Sequence, residues 1–206
     1  VHIVDGALSL PVLVGGATLT AAGVAFGLRM LQPEHIPRAA MLSAVFFVAS
    51  LFHVPFGVSN VHLILNGLLG ILLGWMAFPV LLIALLLQAV FFGFGGLLVL
   101  GVNTFNMALP AVICFYLCRP GLRSGKPTLG FLWGMLAGAL AVLLSSLLVG
   151  LSLALSGQEF YIAAHLVVIT NLPVLALDGL LTGAAVVLMQ RVKPDVFQTL
   201  VRVPAA

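Results

Sequence analysis

Pro, Gly and charge clusters cut this chain into seven apolar segments, at about 8–31, 39–55, 61–77, 79–100, 103–118, 128–155 and 162–190. In lipid no water satisfies backbone N–H and C=O groups, so such segments must cross as helices or as a closed barrel. Most of the runs are long enough for helices, which need roughly 20 mainly apolar residues to span. Hydrophobic residues fill 63% of the 206 positions and charged residues 6%, which excludes an ordinary soluble domain. The expected fold is all-α: a polytopic transmembrane helical bundle of about seven helices, with residues 1–192 as a single domain and 193–206 as a short cytoplasmic tail. The third and fifth segments are short, as expected of helices that are tilted or partly surrounded by protein. Residues 101–107, Gly-Val-Asn-Thr-Phe-Asn-Met, are too polar to face lipid and are expected to be buried or near a water-filled end.

Orientation follows from the basic residues, which favour the cytoplasmic side. With the amino terminus outside, Arg29 and Arg38 fall in the first cytoplasmic turn and Arg119, Arg123 and Lys126 in the loop after the fifth segment. Arg191, Lys193 and Arg202 fall in the tail, so all eight Lys and Arg residues lie inside. The same placement puts residue 2 outside together with the turn between the second and third segments, which carries His53, Pro55, Gly57, Ser59, Asn60 and His62.

A formal charge of +3 spread over short loops serves topology and is not a nucleic-acid footprint. Cys114 and Cys118, four apart on one expected helix, read as packing residues. No basic stretch precedes the first apolar run and no cleavage site follows it, so residue 1 is expected to be the mature amino terminus. A bacterial GTG start codon, written as valine, is decoded as methionine; ahead of a bulky histidine that methionine is retained, and either residue supplies the same amine.

Val1-His2 carries a specific chemistry. The terminal amine, the His2 backbone nitrogen and the His2 imidazole can close two fused chelate rings on one divalent metal. A fourth nitrogen would complete a square-planar set, a geometry suited to Ni(II) and Cu(II). Ile3-Val4 and the turn-forming Asp5-Gly6 are expected to fold the terminus back onto the bundle, and metal would tie a flexible end to the helical body. His62, at a helix start expected on the same face, is the candidate fourth ligand; by itself it reads equally as an interfacial polar residue. His53 and Asn60 are candidates for hydrogen-bonding support or for handing metal inward. His35 is expected to be solvated, and His165 to be either a vestibule residue or a packed one. Asp178 lies deep in an apolar span, where an acidic residue is a functional candidate by default. It reads as structural or coupling, with a hydroxyl, an amide such as that of Asn103 or Asn106, or a group on another subunit as its partner.

Four blocks, in order, carry a family likeness. They are Val1-His2-Ile3-Val4-Asp5-Gly6; Ser59-Asn60-Val61-His62 with Gly67-Leu68 and Gly74; Gln88-Ala89 through Gly95-Gly96-Leu97, Leu100-Gly101, Asn103-Thr104-Phe105 and Met107; and Leu172-Pro173 with Asp178-Gly179. Together they resemble the CbiM/NikM family, the substrate-capture components of energy-coupling-factor transporters for cobalt and nickel. The resemblance implies a metal held by the amine of Val1, the backbone nitrogen and imidazole of His2, and the imidazole of His62. It departs from the family around His62, where Val-His-Leu-Ile-Leu-Asn-Gly replaces a more polar run, and in carrying His53 at all.

What the resemblance implies is a bacterial cytoplasmic (inner) membrane protein that is not an enzyme. It has no cofactor of its own and binds transported Co(II), or in the alternative Ni(II), as cargo. Its implied partners are a transmembrane coupling protein and cytoplasmic ATP-binding cassette ATPases, with room for a small accessory membrane subunit. The chain has no Gly-x-x-x-x-Gly-Lys-Ser/Thr phosphate loop, so ATP hydrolysis is expected in those partners. Small-residue stripes, Gly15-Gly16-Ala17 to Gly27 and Gly134, Gly138 and Ala141, suit either a partner helix or packing within the bundle. A different class, an intramembrane metal-dependent enzyme, lacks a His-Glu-x-x-His motif and sufficient acids. A passive channel would need a polar path that Asp178 alone does not make.

Overall fold

The structure is a computed structural model that describes residues 3–51, 53–56, 59–123, 126–193 and 197. Its elements in chain order are α1 (Leu10–Met30), α2 (Ile36–Ala49), β1 (His53–Phe56), β2 (Ser59–His62), α3 (Asn66–Leu73), α4 (Ala77–Phe92), α5 (Leu100–Leu122), α6 (Pro127–Ala154), α7 (Tyr161–Thr170) and α8 (Leu172–Val192). Five helical stretches among them are long and apolar enough to cross a membrane: Leu10–Met30, Asn66–Phe92, Leu100–Leu122, Pro127–Ala154 and Tyr161–Val192. Proline at the first or second position opens α1, α2, α6 and α8, where its missing N–H costs nothing. The large apolar side chains left exposed, such as Leu19, Val90, Leu132 and Leu188, suit a lipid surround.

The second and third apolar segments do not fold as the hydropathy pattern predicts. Helix α2 stops at Ala49 after 14 residues, and the chain then forms an antiparallel hairpin, β1 on β2, in the register His53↔His62 to Phe56↔Ser59. Pro55 cannot sit inside a continuing helix without losing a hydrogen bond, whereas an edge strand tolerates it. Helix α3 follows and is only 8 residues long, yet every one of them is buried. Gly74, at φ +55°, then breaks the chain into a single 3-10 turn before α4, a backbone conformation that residues with a side chain rarely adopt.

Helix α3 reaches the centre because its neighbours let it. A Cβ at Gly70 would press on the Ala111 main chain of α5, and one at Gly67 would lie 2.7 Å from the Gly138 Cα of α6. The two stripes of small residues are used inside the bundle at most positions. Gly23 packs on the Phe78 ring, Gly27 on Trp75 and Pro79, and Gly134 and Gly138 on α8 around Thr182, Gly183 and Asp178. Among the glycines of α1 only Gly15 faces open space. Cys114 and Cys118 are buried free thiols in the core, the packing role expected of them. The polar run at 101–107 is buried as predicted, with Val102, Asn103, Thr104, Asn106 and Met107 all inside α5.

Candidate metal centre

The amino-terminal arm is docked on the bundle from Ile3 onward. The Ile3 N–H donates to Asn103 Oδ1 at 3.0 Å, and Asn103 Nδ2 donates back to the Ile3 carbonyl at 2.9 Å. One buried side chain on α5 thus satisfies both main-chain groups of a residue 100 positions away, as a neighbouring strand would. Ile3 itself is 4% exposed and packs with Leu8, Val99, Val102, Val149 and Leu153. Asp5 adds a second anchor: its Oδ1 accepts the Val99 N–H at 3.0 Å, and its own N–H donates to the Gly95 carbonyl at 3.2 Å. Gly96, at φ +146°, lies under the Asp5 carboxylate, and any Cβ there would collide with it. The expectation of an arm that turns back at Asp5-Gly6 holds. Protein contacts hold the arm at Ile3, Asp5 and Leu8; the end that metal is expected to tie down, Val1 and His2, lies outside the described residues.

The second anchored segment is the turn between β2 and α3. Asp178 Oδ2 accepts the Ile64 N–H at 3.1 Å and the Leu65 N–H at 3.0 Å. Leu65 has φ +51°, a left-handed conformation that costs a leucine roughly 1–2 kcal/mol. Two charge-assisted hydrogen bonds and the positive end of α3 offset that cost, and they also compensate the burial of a fully enclosed carboxylate. Neither amide expected as a partner of Asp178 serves it. Asn103 is engaged with Ile3, and Asn106 Nδ2 donates to Ser152 Oγ at 3.2 Å. Asp178 binds main chain two and three residues after His62, much nearer the candidate centre than its depth in the sequence pattern suggests.

Both anchored segments lie at one end of the bundle. Asn66, the first residue of α3, donates through Nδ2 to the Met107 carbonyl at 3.1 Å and to Ser145 Oγ at 2.8 Å. Met107 stands one helical turn, about 6 Å, along α5 from Asn103. Helices α3 and α5 run in the same direction, since Gly70 meets Ala111 and Gly74 meets Phe115. The arm at Ile3 and the turn at Ile64–Leu65 are thereby gathered where α3 and α5 begin. Several buried polar atoms here have no hydrogen-bond partner among the described residues: Asp178 Oδ1, Asn66 Oδ1, Ser146 Oγ and Thr182 Oγ1.

Of the candidate ligands, Val1 and His2 lie outside the described residues. His53, Asn60 and His62 are placed by their backbone in the hairpin, where His53 is paired with His62 and Asn60 with Pro55. His165 is exposed on α7, which removes the packed alternative for it. Among the described residues no three His, Cys, Asp or Glu side chains gather. The residues that sequence reasoning missed are Asn103, as the clamp on Ile3, and Asn66. The signal for Asn103 was present in the polarity of 101–107, but a buried amide does not announce which distant main chain it serves.

Known proteins resemble this chain over most of its length. Residues 2–196 match the family model for CbiM, the cobalt uptake substrate-specific transmembrane region. A Haemophilus influenzae protein named for metal transport is 43% identical over 197 residues, covering 95% of this chain and 96% of that one. The fused nickel transport protein NikMN of Rhodobacter capsulatus is 40% identical over 117 residues, 52% of this chain and 33% of its own length. A solved structure of a transition metal transporter shares the fold, with a TM-score of 0.75 over 100% of both chains at 24% identity. The chain belongs to the CbiM family, whose model is described as a cobalt uptake substrate-specific transmembrane region, and is a multi-pass membrane protein.

Proposed function

We propose that this chain is the substrate-capture subunit of an ATP-driven energy-coupling-factor importer for divalent cobalt in the bacterial cytoplasmic membrane, with nickel as the alternative cargo. The cargo is held at the outer face by the amine of Val1, the backbone nitrogen and imidazole of His2, and the imidazole of His62. The observation that carries this reading is the double anchoring: Asn103 holds the residue after His2, and Asp178 holds the chain just after His62, at one end of the bundle. Nitrogen donors in two fused chelate rings, closed by a ligand from a rigid turn, suit late first-row divalent ions and exclude magnesium or calcium. His53, opposite His62 in the hairpin, supports His62 or passes metal to it, and Asn60 is the hydrogen-bonding candidate beside it. Cobalt is favoured by the description of the matching family. Energy comes from partners, a transmembrane coupling protein and cytoplasmic ATPases.

Capture on these ligands displaces protons from the terminal ammonium, from the imidazoles and from the His2 amide. Affinity therefore falls as pH falls through the range of the imidazoles and the α-amino group, roughly 8 to 6. The test is titration of the purified protein with Co(II) and Ni(II), beside a variant lengthened by one residue ahead of position 1. The lengthened chain keeps every histidine but loses the terminal chelate, so its binding should disappear. Equal binding by both forms would move the ligands to internal histidines and end this reading.

A further inference from the structure

The hairpin of β1 and β2 is pinned at both roots by buried side chains. At the root of β2, Asp178 holds the N–H groups of Ile64 and Leu65, two and three residues after His62. At the root of β1, Gln88 of α4 donates through Nε2 to Ser50 Oγ at 2.7 Å, three residues before His53. Ser50 closes α2, and its hydroxyl donates in turn to the Phe47 carbonyl at 2.7 Å. Gln88 is 0% exposed and Ser50 2%, so water does not compete for the bond between them. Three residues of chain reach at most about 11 Å. His53↔His62 is the rung nearest both roots, and Phe56↔Ser59 is the farthest. The rung that carries His62 is therefore the one whose place the two pins govern most directly.

Stability does not explain why a glutamine stands at 88. Its Oε1 is buried with no partner among the described residues, and an acceptor in that state costs free energy that an apolar side chain avoids. Helix α2 has other ties to α4: Ser43 Oγ donates to the Val80 carbonyl at 3.2 Å, and the rings of Phe47 and Phe92 lie 5.7 Å apart. The Gln88 bond differs from these in where it falls, at the point where α2 ends and the hairpin begins. The main chain of the same residue serves the other half of the centre. The Gln88 carbonyl accepts the Phe94 N–H at 3.3 Å, and the next carbonyl, that of Gly95, accepts the Asp5 N–H at 3.2 Å.

We propose that Gln88 is a positioning residue for His62, acting through Ser50 and the His53↔His62 rung. The proposal rests on the reading of His62 as a metal ligand. Asp178 fixes the chain that follows His62, and Gln88 fixes the strand opposite it, so the backbone of residue 62 is held from both strands. One residue of α4 thereby joins the root of the hairpin to the seat of the amino-terminal arm.

The experiment is Ni(II) titration and thermal unfolding of the purified full chain. Gln88→Leu should weaken binding roughly tenfold, as loss of a group that supports metal ligands does. Its melting temperature should not fall, because Ser50 Oγ still donates to the Phe47 carbonyl and the unpartnered oxygen is gone. Ser50→Ala removes the other partner of the same bond and should weaken binding to the same extent; it decides alone if the leucine variant does not fold. The double variant should bind no more weakly than either single one, since both break one interaction. Ser43→Ala, which cuts the tie to Val80 two helical turns away, should keep parental affinity. Parental affinity in folded Gln88→Leu or Ser50→Ala would overturn the proposal, as would additive losses in the double variant or an equal loss in Ser43→Ala. His62→Ala separates this idea from the reading beneath it. If it abolishes binding and Gln88→Leu leaves binding intact, only the role of Gln88 fails; if it changes nothing, His62 is no ligand and both fail.

Discussion

Two segments border the candidate centre, and they are held by different chemistry. The amino-terminal arm is held by a neutral amide that gives one hydrogen bond and takes one, with Asp5 adding an anchor at Val99. The turn before α3 is held by a carboxylate that takes two N–H groups while its other oxygen is unpartnered among the described residues. A neutral rung exchanges readily with another, because breaking it exposes no charge. A buried carboxylate that loses its donors is left as an uncompensated charge, which is far more costly. On the function proposed above, the turn would be the fixed half of the centre and the arm the half whose docking is traded during capture and release.

The largest test of that division is Asp178→Leu. It leaves the Ile64 and Leu65 amides buried without acceptors, at roughly 1–3 kcal/mol each, and leaves Leu65 strained. Thermal unfolding in detergent should show a broad loss of stability in this variant, whereas Asp178→Asn, which retains an acceptor oxygen, should recover most of it. An unaltered melting profile for Asp178→Leu would erase the distinction between the two anchors. Gly96→Val strikes the arm instead. Its side chain would displace the Asp5 carboxylate, so metal affinity should fall about tenfold, the low end for groups that support metal ligands, with little change in the melting of the bundle. If the bundle melted early in this variant, the arm would be as structural as the turn.

Asp5→Ala is gentler. It removes the acceptor of the Val99 N–H, a bond worth roughly 1 kcal/mol, so isothermal titration should show about fivefold weaker capture at unchanged fold. The smallest effect should come from His165→Ala. This residue is exposed on α7, and stability should stay within about 0.5 kcal/mol of the parent. Metal affinity should not move either; a clear loss would add a third region to the comparison and a ligand outside both anchored segments.

Parts of this were legible in the chain itself. The burial of 101–107 followed from its polarity, because unpaired amides cannot face lipid. The fold-back at Asp5-Gly6 followed from a turn pair between apolar runs. The segment 53–62 was not legible as a hairpin, since its flanks carry enough apolar residues to pass for helix ends. The local hints were Pro55 and Gly57, which a hydropathy window averages away. Asp178 announced that it mattered, being an acid in an apolar span, but its partner is 113 or 114 residues distant in sequence. Asn103 announced its burial but not the main chain it serves.

The amino-acid sequence by itself determined that the chain crosses a membrane as helices, for which the reason is backbone solvation, a local requirement. It also suggested the chelate proposed above, because fused rings need only adjacent residues. Only the tertiary structure decided which main chain each buried polar side chain would satisfy. Such a partner is chosen by where helices α3, α5 and α8 meet, and that meeting depends on close approach at Gly67, Gly70 and Gly138. No window along the chain contains these positions together with Ile3, Asn103 and Asp178, so the support of the centre exists only once the bundle has packed.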